Sequence, residues 1–279
     1  MAGMNRRSVL VTGASTGIGA ATVTTLVERG FDVWAGVRAE ADAERLAAEH
    51  GDRVRVLRFD VTDPAGVAAA GKEVTAAGPL HGLVNNAGVA VPGPLEFLPI
   101  TALREQLEVN LLGQLAVTQA VLPALRAATG RIVMVGSISG RIAGPLLGAY
   151  SASKFGLVGL TDSLRAELAP WRIRVILIEP GPIATPIWRR GGEASVRLMA
   201  QLPEEVGELY AAQIAQVRKV AARAEARGLP PAAAAAVIAA ALTSRNPRPR
   251  SLVGREAKLG SLVARLPYRL RYRLTAARG

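Results

Sequence analysis

Cysteine is absent from the 279 residues, and histidine occurs only at His50 and His81. The lack of cysteine excludes disulfides, thiolate zinc sites and thiol nucleophiles, and two histidines are too few for most metal sites. We therefore expect no bound metal. The opening segment "MAGMNRRSVLVTG" has no signal-peptide hydrophobic region, so the cytoplasm is the expected location.

Long apolar runs and a general excess of charge are also lacking. No stretch reaches the roughly 18 consecutive apolar residues of a membrane-spanning helix, and the alanine-rich segment 229–242 predicts a buried or partly buried helix. Residues 245–279 contain ten Arg or Lys and one acid, so the rest of the chain carries only +3 of the net +12. Because no basic stripe runs through that larger part, we expect no nucleic-acid partner.

The apolar residues that are present form short runs that alternate with helix-like segments. The predicted strands are 8–11, 32–38, 53–61, 82–88, 131–137 and 173–181, and the helices between them include 39–50, 63–78, 101–130 and 149–170. Short, nearly continuous apolar strands separated by helices are typical of a parallel sheet covered on both faces. The pattern predicts an α/β protein, a single-domain Rossmann-type doubly wound parallel sheet.

The predicted domain organisation has two parts. Residues 1–254 form the catalytic domain, and 255–279 form a basic C-terminal extension. Within the domain, the helical segment 186–228 follows a strand at the edge where doubly wound sheets bind ligands, so we interpret it as a substrate lid. The alternative is a peripheral helical insertion. Nine large apolar residues of the lid predict an apolar pocket, unless they form ordinary buried helix faces: Ile187, Trp188, Val196, Leu198, Met199, Leu202, Val206, Leu209 and Tyr210.

The stretch "TGASTGIG" places Gly13, Gly17 and Gly19 directly after the first predicted strand and at the start of the first helix. Glycines at this position permit a tight turn and close backbone approach, and a helix N-terminus presents free N–H groups to a phosphate. In the first β-α turn of a parallel sheet, the triplet indicates a dinucleotide site rather than a plain structural turn.

Further motifs follow in order: "FDVTD", "NNAG", "VN" at 109–110, "SIS", "YSASK" and "PGPIATP". With "TGASTGIG", they make residues 7–186 resemble the short-chain dehydrogenase/reductase family, and in particular its retinol and hydroxysteroid dehydrogenase-like members. The resemblance implies a nicotinamide cofactor and a hydride transfer between that cofactor and an alcohol or ketone.

The resemblance also implies a catalytic role for four residues. Tyr150 matches the proton donor and acceptor, and Ser137, thirteen residues earlier, matches the serine that polarises the carbonyl. Lys154 follows Tyr150 by one helical turn, so its ammonium is expected to favour the phenolate of a side chain whose pKa is ordinarily about 10. Lys154 would also bind the nicotinamide ribose. Asn110 matches the residue that holds a water in a proton relay through Lys154.

The same residue-by-residue resemblance implies the cofactor site. Its expected members are Gly13, Ser15, Thr16, Gly17, Ile18, Gly19, Arg38, Asp60, Val61, Asn86, Ala87, Gly88, Tyr150, Lys154, Pro180, Gly181, Ile183 and Thr185. An NAD site generally has an acid near the end of the second strand. Here Val37 takes that place beside Arg38, so we expect NADP(H) rather than NAD(H), although Glu40 is close enough in sequence to approach the ribose.

The resulting hypothesis is an NADP(H)-dependent oxidoreductase for a lipophilic, steroid- or retinoid-like secondary alcohol or ketone. A reductase of small or acyl-type carbonyl compounds is the alternative, and a nucleotide-binding regulator without turnover is a further one. The long helices at 101–128 and 149–169 resemble those that form subunit contacts in the family, so we expect a homodimer or homotetramer.

The tail "LPYRLRYRLTAARG" fits two patterns. Its alternation of Tyr or Leu with Arg would suit a strand, whereas Leu262, Val263, Leu266 and Leu270 fit one face of a helix. A solvated basic tail packing near the lid is favoured here over peripheral contact with a membrane.

Overall fold

The computed structural model describes residues 6–276, apart from the side chains at positions 272, 275 and 276. Its centre is a parallel sheet in the order β3-β2-β1-β4-β5-β6-β7. The strands are β1 Ser8–Thr12, β2 Asp32–Val37, β3 Val54–Arg58, β4 Gly82–Asn85, β5 Arg131–Val135, β6 Arg174–Pro180 and β7 Arg250–Val253. The strand order reverses between β1 and β4, which confirms the Rossmann-type doubly wound sheet and leaves a crevice at the carboxyl ends of these strands.

Helices cover both faces of the sheet. They are α1 Gly17–Glu28, α2 Glu40–His50, α3 Pro64–Ala76, α4 Ile100–Leu107, α5 Gly113–Ala128, α6 Gly148–Glu167, α7 Ile187–Met199, α8 Glu205–Leu209, α9 Ala211–Arg227, α10 Pro231–Thr243, α11 Arg255–Val263 and α12 Tyr268–Ala276. A π turn, Glu108–Leu112, joins α4 to α5, so the two form the single long helix predicted at 101–130.

The hydrophobic core consists of two layers separated by the sheet. Along β1, Val9 and Val11 face one layer, with α1 and α10, whereas Leu10 faces the other, with α3, α5 and α6. Strands buried on both faces cannot alternate apolar with polar residues, which explains the continuous apolar runs in the sequence.

The long helix Ile100–Ala128 also satisfies, by length and composition, the requirement for crossing a membrane. Within α5, however, Val117, Val121 and Leu125 are buried in the core layer that contains α3. Packing against the sheet therefore accounts for the apolar character of this part of the helix.

The predicted strands are all present, but some end earlier than expected. The strand predicted at 53–61 ends at Arg58, because the carboxylate of Asp60 accepts hydrogen bonds from the backbone N–H and the hydroxyl of Thr62 and forms a turn. The strand predicted at 82–88 ends at Asn85. Strand β7 was not predicted from sequence, because its four residues, RSLV, are short and partly polar.

The lid segment and the tail are helical in the structure. Residues 186–228 contain α7, α8 and α9, and the tail contains α11 and α12 rather than a strand. In α11, Ala257 and Ser261 are buried, so the beginning of the predicted extension packs onto the Rossmann domain.

Candidate active site

A cavity of about 1260 Å³ lies at the carboxyl ends of the strands, between the sheet and the lid. Its walls are formed by the glycine-rich turn, by the loops after β2 to β6, and by α6 and α7. All of the predicted site residues line this cavity except Gly19 and Asn110, which are buried beside it.

The glycine-rich turn requires glycine for its backbone conformation. Gly13 and Gly17 have φ values of +62° and +59°, a region that residues with a Cβ rarely adopt. A Cβ on Gly13 would also lie 2.8 Å from the Cα of Ala87. Helix α1 begins at Gly17, and in the described chain the side chain of Thr16 forms no capping hydrogen bond with it. The first N–H groups of α1 are therefore available to a phosphate, so the turn fits a dinucleotide.

Gly19 has a structural role in the glycine-rich turn, and its expected contact with the cofactor stays a prediction. A Cβ at this position would lie 2.1 Å from the carbonyl oxygen of Gly13 and 2.6 Å from Nδ2 of Asn86. Glycine is thus required for close packing beneath the turn, and the residue is buried beside the cavity.

Thr12, which was not predicted, connects the glycine-rich turn to the loop after β4. Its Oγ1 accepts hydrogen bonds from the backbone N–H groups of Asn86, at 3.0 Å, and Ala87, at 3.1 Å. In return, Nδ2 of Asn86 donates to the carbonyl oxygens of Thr12 and Gly13. A threonine at the end of a buried strand is an ordinary sequence feature, so these long-range bonds had no local signal.

The predicted serine, tyrosine and lysine meet in the cavity. Ser137 follows β5 in extended backbone, and its Oγ accepts a 3.1 Å hydrogen bond from the backbone N–H of Ser139. The hydroxyl of Ser137 is close enough to Tyr150 to lower the pKa of the phenol. Lys154 lies one turn further along α6, with its Nζ 5.8 Å from the centre of the Tyr150 ring.

Burial sets the direction of the pKa shifts of Tyr150 and Lys154. Burial raises the pKa of Tyr150 above its ordinary value of 10.0, and the hydrogen bond with Ser137 only partly opposes this. Burial also lowers the pKa of Lys154 to about 8, and its Nζ donates to the carbonyl oxygen of Val135 at 3.0 Å. Desolvation is thus the largest influence on the Tyr150 pKa in this structure. The expectation that the ammonium of Lys154 favours the phenolate stays a prediction. At neutral pH the phenol is protonated.

Asn110 lies in the π turn and is fully buried. Its Oδ1 accepts from the backbone N–H of Val89 at 2.9 Å, and its Nδ2 donates to the Val89 carbonyl oxygen and to Oγ of Ser153. These bonds hold the loop after β4 and leave the side chain facing protein rather than the cavity. The relay role expected for Asn110 stays a prediction.

A buried ion-pair cluster lies behind the serine. Glu179 is fully buried and accepts hydrogen bonds from both Arg141, at 2.7 and 2.5 Å, and Arg250, at 3.2 and 2.7 Å. Arg141 also donates to Oγ of Ser261 at 3.0 Å, which ties α11 to the loop that follows Ser137. No local pattern in the sequence indicates this cluster, because its members are widely separated along the chain.

Two ion pairs lie at the end of the cavity next to β2 and β3. The exposed guanidinium of Arg38 lies 3.4 Å from the carboxylate of Asp60. Glu40, the acid that could have approached a ribose, is ion-paired with Arg58 instead. Burial would raise the pKa of Asp60, but the hydrogen bonds from Thr62 and the charge of Arg38 lower it overall, so this carboxylate is ionised.

The lid contributes fewer apolar residues to the cavity than expected. Ile187, Trp188 and Leu198 line it, whereas Val206 is fully buried elsewhere and Leu209 is 63% exposed. The remaining members, Val196, Met199, Leu202 and Tyr210, are also outside the cavity wall. Three of the nine residues therefore line the cavity as an apolar pocket would require, and the other six lie in other parts of the lid.

The parallel sheet carries a turn that fits a dinucleotide, and a serine, a tyrosine and a lysine meet at the same edge of the sheet. Together these features define a nicotinamide-dependent oxidoreductase. The sequence profile of the family described as short chain dehydrogenase matches residues 7–195. The chain belongs to the short-chain dehydrogenase/reductase family, whose members act on alcohol or ketone substrates.

Curated relatives cover different shares of the chain. A 3-amino-tetrahydro-pyrrolizinone reductase from Xenorhabdus hominickii is 44% identical over 188 residues, which span 66% of this chain and 64% of that relative. An NADPH-dependent 3-dehydrocapnine reductase from Ornithobacterium rhinotracheale is 36% identical over 255 residues, 88% of each chain. Mammalian retinol and hydroxysteroid dehydrogenases are also among the relatives.

A solved structure has the same fold over nearly the full length. The short chain dehydrogenase from Burkholderia cenocepacia J2315 in complex with NADP has a TM-score of 0.74 and 30% identity, and the match covers 96% of this chain and 97% of that one.

Proposed function

We propose that this protein is an NADP(H)-dependent oxidoreductase that interconverts a secondary alcohol and a ketone, with a lipophilic substrate. The observation that carries the proposal is the convergence of Ser137, Tyr150 and Lys154 in one cavity with the glycine-rich turn. NADP(H), when bound, supplies or accepts the hydride. The side chains of the protein then have to manage the proton and the charge on the substrate oxygen.

In the direction of reduction, Tyr150 donates its phenolic proton to the oxygen of the substrate carbonyl. Its raised pKa keeps that proton in place at neutral pH. Oγ of Ser137 accepts from the N–H of Ser139, which leaves the serine proton as its one donor. When substrate is bound, that proton would turn from Tyr150 to the oxygen on which negative charge develops. Lys154 would bind ribose hydroxyls and return the proton lost by Tyr150.

Cofactor preference is proposed from the two ion pairs beside β2. Arg38 is exposed just after β2, where an NAD site generally has an acid, so its guanidinium could bind a 2′-phosphate. Glu40 is ion-paired with Arg58, so it is less available to bind the hydroxyls of a free ribose. The NADPH-dependent relative and the NADP-bound structure support the same preference.

A lipophilic substrate is proposed because Ile187, Trp188 and Leu198 of the lid line the cavity that holds the catalytic group. The retinol and hydroxysteroid dehydrogenase relatives support the same class of substrate. The relative named as a pyrrolizinone reductase favours a second candidate, reduction of a smaller carbonyl compound.

The test is turnover with NADPH and NADH across a panel of steroids, retinoids and small ketones, for the wild type, Tyr150→Phe and Arg38→Ala. We expect activity that Tyr150→Phe abolishes, and a rise in KM for NADPH but not NADH in Arg38→Ala. Arg104→Ala, at an exposed arginine on α4, is the matched control. Equal effects of Arg38→Ala on both cofactors would contradict the cofactor preference. Binding of NADPH without turnover of any compound would favour a regulator.

A homo-oligomer is proposed from exposed apolar side chains on the two long helices. Ile100 and Leu112 on the first helix, and Phe155 on α6, are 61%, 48% and 44% exposed. Light scattering of the purified protein is expected to give the mass of a dimer or tetramer, and a mass near 29.1 kDa would refute this.

A further inference from the structure

Helix α11 is attached to the domain through one side. Ala257 and Ser261 are 0% and 4% exposed, and Ser261 accepts the hydrogen bond from Arg141. A Cβ on Gly260 would lie 2.8 Å from the side chain of Ile138, which follows the catalytic serine. Close contact with the domain explains why the residues on this side of α11, Ala257, Gly260 and Ser261, are small.

The opposite side of α11 carries apolar residues that the domain does not cover. Leu259 is two positions, a little over half a turn, from both Ala257 and Ser261, and it is 58% exposed. Leu262 is 59% exposed and lies one turn after Leu259, and Leu266 continues the row at 37%. Packing in the hydrophobic core therefore does not explain why these positions are occupied by leucine.

Helix α12 continues the pattern. Leu270 and Leu274 are one turn apart and are 49% and 47% exposed. Arg269 and Arg273 have the same spacing one position earlier, so a basic row borders the apolar row. Residues 255–276 contain six Arg or Lys and a single acid, Glu256.

We propose that this C-terminal surface, formed by Leu259, Leu262, Leu266, Leu270 and Leu274 with the basic side chains that border them, binds the surface of an anionic lipid membrane. An apolar row bordered by Arg and Lys is the pattern of helices that lie in a membrane interface. The leucines enter the acyl boundary, while the long basic side chains reach the anionic headgroups.

The charge of the surface argues against a second copy of the chain as the occupant. A two-fold contact would place the same basic residues opposite each other without acids to compensate them. The apolar row argues against a nucleic acid, since contacts with phosphates require charge and not exposed leucines. This inference does not depend on the proposed enzymatic activity.

The experiment is co-sedimentation of the full chain with phosphatidylcholine vesicles, with and without phosphatidylglycerol. We expect binding to the anionic vesicles alone, and weaker binding as salt rises from 0.1 M to 1 M, which shortens the Debye length from about 10 Å to about 3 Å. Binding to neither vesicle type, or equal binding to both, overturns the proposal.

Two double variants separate the apolar and basic contributions. Leu262→Ser with Leu270→Ser, and Arg269→Gln with Arg273→Gln, are each expected to reduce partitioning about tenfold or more. Because all four side chains are exposed, the variants should fold, and circular dichroism with Tm checks this.

Matched controls lie elsewhere on the surface. Leu209→Ser removes another exposed leucine, and Arg29→Gln with Arg104→Gln removes the same charge as the arginine variant. These controls should bind like the wild type, and an equal loss in them refutes the assignment to the C-terminal surface. Self-association that the leucine variant abolishes, without vesicle binding in the wild type, would assign the surface to a second copy instead.

Discussion

The ammonium of Lys154 donates a 3.0 Å hydrogen bond to the carbonyl oxygen of Val135, at a position where the lysine is 5% exposed. The fold thus holds a cation that is almost fully removed from water, and burial lowers its pKa from 10.5 to about 8. A buried cation of this kind is costly for folding, and buried groups with strongly shifted pKa values are often found at functional sites.

Lys154→Met is expected to abolish turnover and to stabilise the protein. A pKa lowered from 10.5 to about 8 corresponds to about 3 kcal/mol, and loss of the hydrogen bond to Val135 offsets about 1 kcal/mol of it. The cost of the buried charge is present in full below pH 8 and is relieved as pH rises from about 8 to 10.5. Urea unfolding at pH 7 should therefore show that Lys154→Met raises the free energy of unfolding by about 2 kcal/mol. A lower free energy of unfolding would contradict this prediction.

Carbonyl reduction is expected to decline as pH rises through about 8. Lys154 loses its charge there, whereas Tyr150, with a pKa raised above 10.0, is still protonated. A pH profile of kcat for the wild type and Lys154→Arg provides the check, because a guanidinium does not titrate in this range. If Lys154→Arg is active and still declines near pH 8, another group is responsible.

Glu179→Gln is expected to lower the free energy of unfolding by about 3–5 kcal/mol, because it leaves Arg141 and Arg250 without their buried partner. Glu193→Gln breaks an exposed pair with Arg189 and should cost no more than about 1 kcal/mol. Chemical denaturation at pH 7 measures both, and similar losses in the two variants would show that the cluster is not stabilising.

The contribution of the Glu179 cluster to stability is expected to fall at acidic pH. Burial would raise the pKa of Glu179, but its hydrogen bonds with Arg141 and Arg250 lower it below the ordinary 4.5. Its contribution is therefore present above pH 4.5 and is lost as pH falls further. Part of the acid-induced loss of Tm seen in the wild type should be missing in Glu179→Gln.

Gly19→Ala is expected to disrupt the glycine-rich turn, because its Cβ would lie 2.1 Å from a backbone oxygen that cannot move aside. Gly159→Ala, within α6, has open space around its Cβ and should be neutral or stabilising by up to about 1 kcal/mol. Tm and titration with NADPH distinguish the two. Normal cofactor binding by Gly19→Ala would show that the turn adjusts.

Local patterns in the sequence were sufficient for most of the fold. Alternation of apolar runs with helical segments predicted six of the seven strands and the doubly wound sheet. The glycine-rich turn was recognisable because its spacing and its place after the first strand are both local properties. Ser137, Tyr150 and Lys154 were found from short motifs, and the structure places all three in the cavity.

Tertiary structure alone decided the remaining features. Strand β7 exists because the edge of β6 pairs with it, which four partly polar residues do not signal. The buried partners of Asn110 and Glu179 lie far away in sequence. The direction of the Tyr150 pKa depends on desolvation, which is a property of all surrounding atoms and not of the lysine one turn away. Sequence determined which groups are present, and packing determined the contacts and the solvent around them.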